Sequence, residues 1–143
     1  MALILATRHN RVEIVELLLS IPDSVYTSMS KTLTSSSSQR LDINLQNKYG
    51  WTALMIASSR GCSEIVKLLL TSSAGQELDV NIKIGGYTAL MFASRCGCVE
   101  IVKLLLSKPD LDVNCKNIYG ETALMIASWN RHEEIVSLLE NYK

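Results

Sequence analysis

Along this chain the apolar positions recur in blocks instead of following one continuous period. One block places Thr-Ala-Leu-Met-Ile/Phe-Ala-Ser after a glycine and a variable residue, at positions 50–58, 86–94 and 120–128. A second, Glu-Ile-Val-Lys/Ser-Leu-Leu-Leu/Glu, follows at 64–70, 100–106 and 134–140. An incomplete fourth copy opens the chain, with 2–6 matching the first block and 13–19 the second. A third element, Leu-Asp-Ile/Val-Asn, comes after a variable spacer at 41–44, 78–81 and 111–114. The equivalent residues Glu13, Glu64, Glu100 and Glu134 are separated by 51, 36 and 34 positions, so the excess over a base of about 33 falls at the joints.

Each first block predicts a short helix. Thr52, Thr88 and Thr122 precede the apolar stretches, where a hydroxyl can accept from a free backbone N–H of the first turn. Trp51 with Ile56, and Tyr87 with Phe92, have the spacing of a hydrophobic staple. Small Ala57, Ala93 and Ala127 allow close approach of a neighbouring helix, and Leu54, Leu90 and Leu124 fill the interior. Gly61 and Gly97 predict left-handed turns at the helix ends. In the second block Ile65, Val66, Leu68 and Leu69 make a broad apolar face, with Glu64 favoured in the first turn. Lys67 after Glu64, and Lys103 after Glu100, are expected to pair within their own helices on the solvent side. Helices of about ten residues are marginal alone, so stacking on neighbours must stabilise them.

The pattern resembles the ankyrin repeat, a unit of about 33 residues built from a hairpin turn and two antiparallel helices. The family usually reads Thr-Pro-Leu-His where this chain reads Thr-Ala-Leu-Met three times, so the family's buried His-to-Thr hydrogen bonding is missing. The resemblance implies an all-α solenoid, an ankyrin repeat array of about four helix-turn-helix units with β-hairpin or turn connections. Those units are expected at about 1–20, 45–75, 82–108 and 115–143 of a single domain spanning 1–143. Glu140 and Ser137 replace leucine and lysine in the last unit, the polar substitution a terminal cap requires. Met1 stands in the threonine position, which suits either a short cap or the truncated end of a longer array.

The joints differ from one another. Half of residues 21–40 are Ser or Thr, a composition expected to leave the array as a flexible surface insertion. A sharper alternative is an arm controlled by phosphorylation around Ser35 to Ser38. A smaller bulge is expected at 71–77. The hairpin carrying Ile84, Gly85 and Gly86 is one residue shorter than its counterparts, and its two glycines predict a tightened tip.

Composition and charge narrow the function. With 14 basic and 14 acidic residues and a pI near 6.7, the chain has no general pull towards nucleic acid or an anionic membrane. No apolar run is long enough to span a bilayer, and residues 1–6 are too short for a signal-peptide core. Four cysteines are far from a disulfide scaffold, so an intracellular setting, cytoplasmic or nuclear, is expected. Cys62, Cys98 and His132 share one slot in successive units, but stacked helices repeat at about 8 to 10 Å, too far for common ligation of a metal. Cys96 could present an exposed reactive thiol, and His9 and His132 are expected to be solvated turn histidines. Phosphate loops, nucleophile elbows and metallopeptidase helices are absent, so neither an enzyme nor a cofactor is expected.

What remains is surface. Proteins resembling ankyrin arrays usually bind partners with hairpin tips and the exposed face of the first helices. At those positions stand Lys48, Tyr49, Trp51, Arg60, Ile84, Tyr87, Arg95, Ile118, Tyr119, Glu121 and Trp129, with Arg8, Ser59 and Asn130 at helix ends. Tyr, Trp and Arg are the residues most enriched at binding hot spots. Trp51 and Tyr87 can equally be read as staples for their helices. The expectation is a monomeric, non-catalytic module with a groove of aromatic and cationic character, suiting a partner protein or peptide with acidic and apolar groups. The alternative is a target-selecting segment of a larger multidomain enzyme or ubiquitin-ligase adaptor.

Overall fold

The computed structural model describes residues 1–20, 42–72 and 77–142. Among these are eight helices of seven to nine residues: α1 (Ala2–Arg8), α2 (Val12–Ser20), α3 (Ala53–Arg60), α4 (Ser63–Thr71), α5 (Ala89–Cys96), α6 (Val99–Leu106), α7 (Ala123–Trp129) and α8 (Glu133–Glu140). Consecutive helices pair, and the pairs stack in order. The first helices α1, α3, α5 and α7 form one layer and the second helices α2, α4, α6 and α8 the other. The array is therefore an all-α solenoid with turn and hairpin connections.

The starts and stops follow from side-chain chemistry. Thr52, Thr88 and Thr122 are extended, and their hydroxyls accept from the amides of Met55, Met91 and Met125 at 3.2, 3.4 and 3.3 Å. Each satisfies one of the four donors left free at a helix start. Gly61 and Gly97 close α3 and α5 at φ 72°. The corresponding positions in the outer units hold Asn10 at φ 51° and Arg131 at φ 59°. The turn thus dictates the left-handed backbone whatever residue stands there.

The core repeats from unit to unit. Ala57, Ala93 and Ala127 are fully buried between helices, as close approach demands. Met55 and Met91, in the family's histidine position, are 1% exposed and fill the space between stacked helices, whereas Met125 in the last unit is 46% exposed. The polar substitutions in α8 therefore do not extend to α7, whose outward side stays apolar. Ser58 and Ser94 are also buried, and neither hydroxyl has a hydrogen-bond partner. In the first unit the same slot holds Thr7, whose hydroxyl donates to the Leu3 carbonyl at 2.8 Å.

The Leu-Asp-x-Asn element proves to be a clamp between units. The carboxylates of Asp42, Asp79 and Asp112 accept from the amides of Asn44, Asn81 and Asn114 at 2.9 to 3.0 Å, which sets a local turn. Asn44 then donates to the Glu77 carbonyl and accepts from the Asp79 amide, both at 2.8 Å. Asn81 repeats this on Asp110 and Asp112 at 2.7 and 2.8 Å.

Two expectations need correction. Lys103 pairs with Glu134 of the next unit at 3.1 Å instead of with Glu100 of its own helix. Both partners are about half exposed or more, so the contribution is at most about 1 kcal/mol. The last unit is also only half capped, for the reason given above. The Ser/Thr-rich insertion, the phosphorylation-controlled arm expected around Ser35 to Ser38 and most of the 71–77 joint lie outside the described residues.

Candidate functional site

The hairpin tips are built by asparagines. The Asn47 side-chain oxygen accepts from the amides of Tyr49 and Trp51 at 2.9 and 3.0 Å, and Asn117 does the same for Tyr119 and Glu121. These closed loops turn Tyr49 and Tyr119 outward, 67% and 72% exposed. Lys48 lies over the Tyr49 ring, with Nζ 4.9 Å from its centroid. The middle tip follows different chemistry. Ile84 and Tyr87 exchange both backbone hydrogen bonds, at 3.0 and 2.9 Å, across a two-residue turn with φ 55° at Gly85 and 81° at Gly86. Both central residues need positive φ, which explains the Gly-Gly pair and the missing residue.

Behind the tips runs an aromatic stack. Trp51 packs on Phe92 of the next unit with ring centroids 4.8 Å apart, and Tyr87 packs on the same ring at 5.6 Å. The staple expected within unit three is present. Trp51, in contrast, reaches across the unit boundary, so it joins two repeats as well as facing the groove. Arg8, Asn47, Tyr49, Trp51, Ile56, Ser59 and Arg60 line an open cleft of about 260 Å³.

The structure thus gathers Arg8, Tyr49, Trp51 and Arg60 at one end, with Lys48 at its rim. Ile118, Tyr119 and Trp129 stand exposed at the far unit, and Arg95 lies exposed between the two ends. Ile84 and Tyr87 are half-buried and act mainly in packing. Glu121 is engaged within its own hairpin, its carboxylate accepting from the Asn117 amide nitrogen at 2.6 Å. Ile56 and Phe92 were legible in the sequence only as staple residues; the spacing of Phe92 to Tyr87 was visible, but its stacking on Trp51 depends on the offset between units.

The family model for ankyrin repeats matches in three copies over residues 25–117 and 86–143. The chain belongs to the ankyrin repeat family. No curated protein matches it. Ankyrin repeats are generally protein–protein interaction modules and are typically non-catalytic.

Within this ankyrin array the zero net charge conceals a separation. The first helices carry Arg8, Arg60 and Arg95 and no acidic residue. The second helices carry Glu13, Glu16, Glu64, Glu100, Glu133, Glu134 and Glu140 against only Lys67 and Lys103. The layer of first helices is cationic and the layer of second helices is acidic.

The shared slot of Cys98 and His132 has a packing role. Cys98 Sγ lies 3.2 Å from where a Cβ on Gly61 would stand, and the His132 ring stands in the same relation to Gly97 at 2.6 Å. Nε2 of His132 also approaches the Arg95 carbonyl at 3.2 Å. His9 is exposed as expected, whereas His132 is half-buried, one side of its ring covering the turn glycine of the preceding repeat. Cys62, Cys96, Cys98 and Cys115 are all free thiols, and Cys96, the exposed one, donates to the Ser59 carbonyl at 3.2 Å. Burial raises the pKa of Cys62, Cys98 and Cys115 above the ordinary thiol value. Among the described residues no group of three ligating side chains could hold a metal, and no helix is long and apolar enough to cross a membrane.

Proposed function

We propose that this ankyrin array is a non-catalytic binding module that holds a partner protein or peptide along its hairpin tips and the exposed face of α1, α3, α5 and α7. The observation that carries the reading is the exposure of Tyr49, Tyr119 and Trp129 on structured supports, where their large rigid side chains serve no core. Amphipathic aromatics held in this way offer contact area at little conformational cost. Arg60 and Arg95 beside them add hydrogen-bond donors that, among the described residues, make no ion pair with an acidic side chain.

The module acts as a monomer in a reducing, intracellular compartment, and its partner is a polypeptide instead of a nucleic acid. The test is capture of partners on the immobilised chain, with identification by mass spectrometry. A doubly substituted chain, Arg60→Ala with Trp129→Ala, should lose the specific partners while its thermal transition stays unchanged. A control substituted on the back, Lys67→Ala with Glu100→Ala, should keep them. Equal capture by the groove variant and the wild type would refute the assignment.

A further inference from the structure

The binding face is not uniform along its length, as equivalent slots show. At the end of the first helix the same position holds Arg8, Ser59, Arg95 and then Trp129. At the hairpin tip the position of Lys48 is taken in the last unit by Ile118, with the tyrosine beside it retained as Tyr119. Cations therefore occupy the face from the first unit to the third. In these two slots the fourth unit replaces the cations with exposed Trp129 and Ile118, and its cations among the described residues, Lys116 and Arg131, stand outside them. The acids of the second helices lie in the other layer, away from this face.

Resting on the groove reading above, we infer that the partner engages as an extended segment with two chemically distinct ends. An acidic pair seats between Arg8 and Arg60 beside Tyr49, and a bulky apolar side chain seats on Trp129, Tyr119 and Ile118. The spacing follows from the array. Arg60 and Trp129 are two units apart, and stacked helices repeat at about 8 to 10 Å, which gives about 16 to 20 Å between the subsites. An extended chain advances about 3.3 Å per residue, so the acid of the pair that meets Arg60 and the apolar anchor are separated by about five or six residues. The paired arginines of the cleft and the exposed apolar anchor stand at opposite ends of the array, so their order fixes which end of the segment lies where.

The test is selection of a random dodecapeptide display library on the full chain, followed by titration of the enriched peptides as synthetic probes. Enriched sequences should carry paired Asp or Glu five or six residues from a Trp, Phe or Leu. Arg60→Glu should weaken their binding at least tenfold and Arg60→Gln by less, both with unchanged melting curves. Raising salt from 50 to 200 mM should weaken the wild type more than Arg60→Gln, and Trp129→Ala should remove the apolar preference while the acidic one stays.

Peptides that lose binding with Tyr49→Ala and Trp129→Ala yet show no acidic preference, or bind Arg60→Glu as tightly as the wild type, would overturn this inference and leave the groove standing. Peptides insensitive to all these changes, or no enrichment at all, would overturn both. Tighter binding of an oligothymidylate than of the acidic peptides would also overturn the inference, because the cations would then be reading a polyanion.

Discussion

Gly86 lies against the backbone of Asn117 so closely that a Cβ on it would stand 2.6 Å from the Asn117 Cα. Its φ of 81° is also one that residues with a Cβ rarely adopt. Neighbouring Gly85 has positive φ as well, at 55°, but its Cβ would meet open space. Gly85→Ala should therefore cost about 1 kcal/mol from backbone strain alone. Gly86→Ala should cost at least about 3 kcal/mol, because backbone atoms of the next hairpin cannot rotate aside as a side chain can. Chemical denaturation of the two variants checks this, and equal losses would mean that the hairpins do not pack as described.

The buried hydroxyls of Ser58 and Ser94 have no partner, and each occupies a slot that needs only a small side chain. Replacing each with alanine removes a desolvated polar group without opening a large void. Each substitution should stabilise the chain by about 1 kcal/mol, or about 3 °C in Tm. Thr7→Ala should not, since that hydroxyl is bonded. Differential scanning calorimetry of the three variants would distinguish these outcomes.

Arg131 adopts at φ 59° the turn that Gly61 and Gly97 adopt at φ 72°. Arg131→Gly should relieve strain and raise stability by about 1 kcal/mol, offset only in part by greater freedom of the unfolded chain. A measured loss of stability would show that the Arg131 side chain contributes more than its backbone costs.

The thiols supply a dependence on pH. Burial holds Cys62, Cys98 and Cys115 above the ordinary thiol value. Below about pH 8.5 both folded and unfolded chains keep these protons, so stability is insensitive to their titration. Above it the unfolded chain ionises first and binds fewer protons than the folded one, so stability falls as pH rises. Urea midpoints at pH 7.5 and 9.5 should show the loss, and Cys98→Ala should reduce it. At pH 7 N-ethylmaleimide should modify exposed Cys96 first; prior modification of Cys98 or Cys115 would contradict the burial described.

Much of this architecture was legible because the units repeat. The threonine caps, the glycine turns and the alanine contacts each depend on residues a few positions apart, and such local signals appear in sequence. What was hidden depends on the offset between units: Trp51 stacking on Phe92, Lys103 reaching Glu134, and Asn44 and Asn81 gripping the following hairpin. The site was legible as a set of slots. The proposed division into a cationic end and an apolar end rests on the comparison of equivalent positions along one face, and Glu121 is bonded to Asn117 within its own hairpin, a pairing its slot did not reveal.

The two tryptophans should separate structure from binding. Trp51→Ala removes a stack between repeats and should lower stability by about 2 to 4 kcal/mol. Trp129, 65% exposed, should leave stability within about 0.5 kcal/mol when truncated yet weaken partner affinity by about 2 kcal/mol or more, which thermal melts and calorimetric titration would resolve.

The central claim, that the hairpin tips and first helices form the binding face, is tested most directly by amide hydrogen exchange of the full chain with and without a captured partner. Bound partner should slow exchange at 47–51, 59–61, 95–97, 117–121 and 129–131, and leave the second helices unchanged. Protection confined to the acidic layer around Glu64, Glu100 and Glu134 would contradict it.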